Sequence, residues 1–339
     1  MGDIKITIRE VAQAAGVSVA TVSRALNSPS QVTPELRARV SAAAERLGYL
    51  AHGAARALAS RRSGAIGAII PTLDNQVFAL CIDALQQRLD AHGFVLLVAS
   101  TGYEAAREAR ELRALLERGV DGVMLVGAEH PPAIWRLLAA AGRIPAVVTW
   151  TSHDPAAPVP CIGFDNRAAA RRIAEHLLAL GHRRIAMIAG PVRGNDRAAA
   201  RVAGVREALA AVGLRLDPPY LAERPYTVPD GRAALMALMA LPEPPTAVVC
   251  GNDHLAFGAL AGARALGLRV PQDLSVTGFD DLDFAAYADP ALTTVRVPAA
   301  EMGRRAADHL AATAAGEPPP APAELEAPVM LRGTTAPPR

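Results

Sequence analysis

The sequence predicts an α/β fold: a two-lobed core of two parallel, doubly wound sheets, behind an all-α N-terminal head of the helix-turn-helix type. Three observations predict it. The first fifty residues are punctuated by helix caps and carry helical periodicity. From Ser63 onward, short β-branched runs alternate with Ala/Leu/Arg-rich helical stretches, the pattern of parallel sheets covered on both faces. Finally, Ile66-Gly-Ala-Ile-Ile70, before a helix ending at Gly93-Phe94, resembles Ile185-Ala-Met-Ile-Ala189, before one ending at Gly213-Leu214, so the α/β unit occurs twice.

Thr7-Ile-Arg-Glu10 reads as a capping box opening the first helix, with Ile8, Val11, Ala12 and Ala15 on one face and Gly16 as its left-handed stop. After a three-residue turn, Ser18 can cap a second helix from Val19 to about Leu26, with Val22, Ala25 and Leu26 inward. Asn27-Ser-Pro-Ser breaks that helix. Thr33-Pro34-Glu35 then opens a third, carrying Leu36, Val40, Ala43, Ala44 and Leu47, which Gly48 closes. Residues 51–62 have helical composition but are too short and too poorly apolar to be helical alone, and read as a conditional hinge. Strands are expected at 66–70, 94–99, 120–126, 146–150, 185–189, 247–250 and 274–277, with 317–322 an exposed Pro-rich connection and 329–332 a final edge strand. The expected domains are 1–50, 51–62, a first lobe of 63–164 plus about 295–323, and a second lobe of 165–294 plus about 324–339.

The 339 residues are 51% hydrophobic and 20% charged, an ordinary globular composition that excludes disorder and fibrous repeats. The overall charge is +2, but residues 1–62 hold nine cations against four acids, a net +5 that leaves −3 for the rest. Such a distribution favours a polyanion at the head. No apolar run can span a bilayer and no signal-peptide core precedes the head, so the expected location is the cytoplasm, with no membrane partner. Cys81, Cys161 and Cys250 sit in apolar, strand-like contexts and read as reduced core residues. His176 and His182 have no third ligand candidate, so neither a metal nor a cofactor is expected.

Two helices joined by a short turn can place the second in the DNA major groove. Once the core face is removed, Val19, Ala20, Ser23, Arg24 and Asn27 are left outside. Arg24 suits a bidentate bond to guanine, and Val19 and Ala20 are short enough to touch thymine methyls. Thr7, Thr21, Ser23, Asn27 and the Ser18 backbone suit phosphates. The competing reading is a plain helical hairpin with a solvated arginine, which the local +5 charge weakens.

Residues 7–27, then Val32-Thr-Pro-Glu-Leu-Arg37 and Leu47-Gly-Tyr49, closely resemble the head of the lactose/galactose repressor (LacI/GalR) family. The likeness continues through Val120-Asp-Gly122, Asp165-Asn166, His176 to Ile185, Arg201-Val-Ala-Gly204, Asn252-Asp253, Gly278-Phe-Asp-Asp281 and Leu292-Thr-Thr294. The resemblance implies a periplasmic-binding-protein-like core, and a hinge helix at 51–60 that folds on operator DNA, with Ala55 and Leu58 as DNA contacts and Leu58 wedged into the minor groove. Where the family usually has Pro-Asn, this chain has Ala51-His52, and Gly53 adds helix cost. It also nominates Phe78, Asp165, Arg201, Tyr226, Asn252 and Asp280 as effector contacts, chemically suited to a polyhydroxylated ligand. Asp165 could equally cap a helix, and Asp253 and Asp281 could be caps or structural acceptors.

Asn75 to Phe78, Gly102-Tyr103 and Gly163 to Asn166 resemble the gluconate-type branch, and Arg193, Arg197 and Arg201 would suit a carboxylate. Asp280 fits a neutral sugar better. The expectation is therefore a gluconate-like sugar acid, with a neutral sugar or nucleoside pathway as the alternative. A sugar-binding protein without a regulatory role would have no use for residues 1–60. An enzyme is disfavoured: Gly190-Pro-Val-Arg-Gly194 lacks the full dinucleotide fingerprint, and no P-loop or catalytic triad spacing is present. What remains is a transcriptional regulator, expected as a repressor binding a pseudo-palindromic operator as a homodimer, since one reading helix covers only a few base pairs. The C-terminal residues carry no leucine heptads for a tetramer.

Overall fold

The computed structural model describes residues 6–27, 31–49, 62–142, 144–152, 154, 156–322 and 324–339. Most of the hinge segment, with Ala55 and Leu58, lies outside them. The chain divides into two compact units, residues 1–65 with 118–121, and 66–117 with 122–339.

The head contains three helices: α1 (Ile8–Ala15), α2 (Val19–Asn27) and α3 (Pro34–Leu47). Their boundaries follow the local chemistry. Glu10 reaches back to accept from both the Thr7 N–H (2.7 Å) and its hydroxyl (3.0 Å), and Gly16 ends α1 at φ 65°. Ser18 Oγ accepts from the Thr21 N–H at 3.1 Å, capping α2, and Thr33 Oγ1 accepts from the Leu36 N–H, capping α3. Val11, Ala12, Ala15, Val22, Ala25, Val40, Ala43 and Ala44 form the core, with Ile8, Leu26, Leu36 and Leu47 packed on its margin. These are the apolar positions expected from helical periodicity.

The larger unit holds two parallel sheets. The first comprises β1 (Ala65–Ile70), β2 (Val95–Ser100), β3 (Gly122–Val126), β4 (Ala146–Thr149) and β5 (Cys161–Ile162), in the order β2-β1-β3-β4-β5. Helix α4 (Gln76–Ala91) follows β1, α5 (Ala105–Glu117) follows β2, and α6 (Pro132–Ala140) follows β3. The second sheet has β6 (Ile185–Ala189), β7 (Leu221–Glu223), β8 (Ala247–Cys250) and β9 (Ser275–Thr277), in the order β7-β6-β8-β9. Its helices are α7 (Asn166–Ala179), α8 (Asp196–Ala210), α9 (Val228–Met239) and α10 (Asp253–Ala265). Ile66↔Gly122 and Ile185↔Ala247 are equivalent parallel pairs in the two sheets, the structural form of the sequence repeat.

The chain then crosses back. β10 (Thr294–Val295) pairs antiparallel with β11 (Val329–Met330), and between them α11 (Ala299–Ala315) packs on α4 beside the first sheet. Residues beyond β11 return to the second sheet, where Thr334 O accepts from the Val276 N–H at 2.9 Å. One apolar core joins the inner faces of both lobes, from Ile66, Leu85 and Met124 to Ile173, Met187 and Val205, and a second lies under α9 and α10.

Three of these strands, β5, β7 and β10, were not expected, because two or three residues carry no periodicity of their own. The final edge strand is present but stops at Met330. His182 is spent on Thr246, Ser275 and the Ala336 carbonyl, and His176 on Thr335. Among the described residues no group of three metal-ligating side chains exists, and no helix is long and apolar enough to cross a membrane. All three cysteines are free and buried.

Helix contact in this core depends on small residues. A Cβ at Gly303 on α11 would collide with the backbone carbonyl of Cys81 on α4. Gly303→Ala should therefore cost about 1 to 3 kcal/mol by overpacking, read as a lower midpoint of chemical denaturation; an unchanged midpoint would mean that α4 and α11 shift apart freely.

Candidate functional site

Two surfaces collect the residues singled out by sequence. On the head, Val19, Ala20 and Arg24 lie exposed along α2, whereas Val22 and Ala25 on its opposite face are buried. Val19 is 41% exposed. Arg24 makes no ion pair with any described residue. Thr7 is exposed at the start of α1, Ser18 and Thr21 share a hydroxyl contact of 2.8 Å at the start of α2, Ser23 is half-buried, and Asn27 is the last residue of α2. A cap, short side chains and a cation thus lie along the first two turns of α2.

The second surface lies between the lobes, where the carboxyl ends of both sheets converge. Asn75 follows β1, Tyr103 follows β2 and Trp150 follows β4. Asn195, Tyr226, Asn252 and Asp280 follow β6, β7, β8 and β9. These seven, with Phe78, Arg197 and Arg201, line one small cavity. Parallel sheets leave such crevices at their carboxyl ends because every strand there turns outward into a loop. Arg201 reaches it from α8: its Nε donates to Asn166 Oδ1 (2.9 Å), its Nη1 donates to the Gly251 carbonyl (2.7 Å), and the guanidinium lies 3.8 Å over the Phe279 ring. Phe78 packs at 4.9 Å on Trp150. Tyr226 Oη accepts from Asn195 Nδ2 at 3.2 Å and lies where a side chain at Gly190 would collide with it.

Asn252 is 1% exposed and its Oδ1 accepts from the Leu255 N–H at 2.9 Å, capping α10, while its Nδ2 has no partner. A buried amide donor left unmatched carries a desolvation cost that an acceptor in the crevice would relieve. Asp280 is buried, and among the described residues its carboxylate accepts a single long bond, from Asn75 Nδ2 (3.4 Å). Its burial pushes the carboxyl up to about 6, with the nearby Arg201 charge opposing. Tyr103, Trp150 and Asp280 all have positive φ, at 63°, 61° and 120°. Three strained non-glycine residues around one cavity mark a place where side-chain position has been set against backbone preference.

Asp165 takes the second of the two roles read for it, the helix cap. Its carboxylate accepts from the Arg167 and Ala168 N–H groups at 2.8 and 2.9 Å, capping α7, and it does not line this cavity. The adjoining Asn166 does the work in the cleft, holding Arg201 and the Trp150 carbonyl. Trp150 and Asn195 were missed as site residues, for their neighbours on the cavity wall are distant in sequence. Asp253 is a structural acceptor, taking the Leu282 N–H (2.8 Å) and the Thr294 hydroxyl (2.6 Å), and Asp281 pairs with Arg296 and Arg332.

Known proteins match both the head and the core of this chain. A model of bacterial regulatory proteins of the lacI family matches residues 7–51, and a periplasmic binding protein-like domain matches 174–335. The HTH-type transcriptional repressor CytR of Escherichia coli is 35% identical over 300 residues, covering 88% of this chain and 87% of its own length. The chain belongs to the LacI family. The HTH-type transcriptional regulator GntR of Pseudomonas aeruginosa is 37% identical over 313 residues, 92% of this chain and 90% of that protein. Among solved structures, the lac repressor dimer bound to operator and the anti-inducer ONPF matches 98% of this chain and 99% of its own, with a TM-score of 0.85 and 28% identity. A LacI-family regulator from Silicibacter pomeroyi matches 97% and 99%, with a TM-score of 0.87 and 30% identity. This LacI-family protein is a sequence-specific DNA-binding transcriptional regulator, and its relatives are regulators, not enzymes.

The buried carboxyls carry a pH signature. Desolvation, with the neighbouring Asp280 charge, raises Asp253 to about 8, against the hydrogen bonds from Thr294 and Leu282 that lower it. A carboxyl raised on folding contributes stability that is complete below its unfolded value near 4 and is lost as pH rises through about 8. Asp253→Asn should therefore melt closer to, or above, the parent at pH 9 than at pH 5; an identical difference at both pH values would mean that Asp253 is ionised throughout.

Proposed function

We propose that this LacI-family regulator is a repressor that binds a pseudo-palindromic operator as a homodimer in the cytoplasm, with operator affinity set by a small polyhydroxylated effector held between the lobes. The observation that carries the DNA half is the exposed face of α2. Arg24 would fork onto a guanine, Val19 and Ala20 would meet thymine methyls, and Thr7, Ser18, Thr21, Ser23 and Asn27 would hold phosphates. From the hinge, Ala55 would contact DNA and Leu58 would wedge into the minor groove. One such helix reads a half-site, so specificity requires two heads.

The effector half is supported by Asn252 Nδ2, a buried donor without an acceptor, beside the buried acceptor Asp280. A diol supplies both partners. Phe78, Tyr226, Arg201, Asn252 and Asp280 would grip the ligand, and effector bound across the lobes would change the core conformation, move the two hinges and weaken DNA binding. A corepressor would use the same coupling with opposite sign.

A gluconate-like sugar acid and a neutral sugar remain the two readings, and specific observations favour the second. Of the three arginines that suit a carboxylate, Arg193 is exposed and lies off the cavity wall, Arg197 is paired with Asp196, and Arg201 is held by Asn166 and Gly251. Asp280 would face an incoming anion without an ion-pair partner of its own.

In a thermal-shift panel of gluconate and galactonate against glucose, galactose and ribose, a neutral sugar should raise the melting temperature and the aldonates should not; the reverse pattern restores the sugar acid. On DNA, Arg24→Ala should cost about 1 to 3 kcal/mol and relax specificity at one base pair per half-site, read from a randomised-duplex selection. Uniform weakening on all sequences would reduce Arg24 to a phosphate contact.

A further inference from the structure

Besides the bonds from Asn75 to Asp280 and from Gln76 to Asp283, the two lobes touch at the edge of the cavity that Arg197 lines. On the first lobe it is the end of β3 and the turn beyond it, residues 126–128. On the second it is the first turn of α8. Asp196 Oδ2 accepts from the Ala128 N–H at 2.8 Å, and Asp196 Oδ1 pairs with Arg197 Nη1 at 2.8 Å. The same Nη1 donates to the Val126 carbonyl at 3.3 Å. A carboxylate and a guanidinium of one lobe thus satisfy a backbone donor and a backbone acceptor of the other.

Gly127 stands between them. Its φ is 88°, and a Cβ there would collide with both the Arg197 guanidinium and the Asp196 carboxylate. The fit therefore depends on glycine for the backbone angle and for the space at once. The guanidinium end of the pair is desolvated as well as bonded, the Arg197 side chain being 9% exposed and the Asp196 side chain 24%. Charge-assisted bonds in such surroundings are stronger than their solvated equivalents.

With this contact made, and with Tyr103 set against Tyr226 at 6.0 Å, the cavity among Phe78, Trp150, Asn252 and Asp280 is about 20 Å³. That is room for about one water, not for a sugar ring. A larger space of about 330 Å³ opens on the far side of Arg197, between Glu104, Glu129 and His130. The pair stands between the roomy side of the cleft and the polar groups meant for the ligand.

We propose that Asp196 and Arg197, clasped over Gly127, form an autoinhibitory contact that holds the lobes together over an unusably small cavity, so that the effector binds only by undoing it. The proposal rests on the cleft being the effector site, and it predicts a particular sign. A protein whose binding-competent form is a minor state loses apparent affinity in proportion to that fraction. Releasing the clasp therefore tightens effector binding, whereas removing an ordinary ligand contact weakens it.

Trp150 reports the state of the clasp without any ligand, being 1% exposed at the base of the cavity. In the full chain carrying Trp135→Phe, which leaves Trp150 as the single tryptophan, acrylamide quenching should rise at least about twofold in Asp196→Ala and in Gly127→Ala, with no further rise in the double variant. The two substitutions break the clasp from opposite lobes, so either suffices if the other fails to fold. Quenching that stays at the parental value in the folded variants would overturn the proposal. With whichever sugar of the panel gives the largest melting shift, Asp196→Ala should bind at least about threefold tighter. Weaker binding would make the pair a ligand contact and overturn it. If none of the five compounds shifts the melting of the parent, the cleft reading falls and the inhibitory role with it, while the quenching still decides whether the clasp closes the lobes.

Discussion

The carboxylate of Asp253 is the group around which the effector core is arranged. It is fully buried at the start of α10, and the Leu282 N–H and the Thr294 hydroxyl both donate to it. A side chain at Gly278 would collide with it, so the 278–282 loop wraps directly onto the carboxylate. Those bonds tie the end of the second sheet to the strand that carries the chain back to the first. They also fix the loop that presents Asp280 to the cavity at φ 120°. Burying an ionised carboxylate here is costly, so the group stays the neutral acid up to about pH 8, and both of its oxygens accept a donor.

Neighbouring acids in the same stretch do different work because their surroundings differ. Asp281 is neutralised by Arg296 at 2.7 Å and Arg332 at 2.6 Å, which pins β10 and β11 to the loop. Asp280, one residue earlier, has no such cation and faces the cavity with only Asn75 at 3.4 Å. Asp281 is spent on two arginines, and the adjacent Asp280 lines the cavity. The same separation of roles recurs at Asp165 and Asn166, where the first caps α7 and the second holds Arg201.

Much of the architecture was legible in the sequence because it rests on local chemistry. Thr7, Glu10, Gly16, Ser18, Thr33 and Gly48 bound the head helices through side-chain and backbone preferences that act over three or four residues. Val22 and Ala25 inside with Val19, Ala20 and Arg24 outside follow from helical spacing alone. The long strands β1, β3, β6 and β8 were visible as β-branched runs, and the repeat of β1 in β6 gave two lobes. β5, β7 and β10 were not visible, since pairing to a neighbour creates them and no pattern of their own does. Within the cleft, Phe78, Arg201, Tyr226, Asn252 and Asp280 were named through the family resemblance and stand together, while Trp150 and Asn195 had no local signal.

The sequence by itself determined a capped three-helix head with a positive segment, a repeated parallel α/β core and membership of a family of DNA-binding regulators. Each of these depends on short-range propensity or on ordered motifs that survive without coordinates. Only the tertiary structure decided that Asp165 is a cap, that Asp253 is a buried acceptor, that Asn252 keeps a free donor, and that Asp196 and Arg197 reach across to Gly127. The reason is physical: a cap or a strand is fixed by residues a few positions apart, but the partner of a buried polar group is chosen by which distant backbone the fold brings within 3 Å.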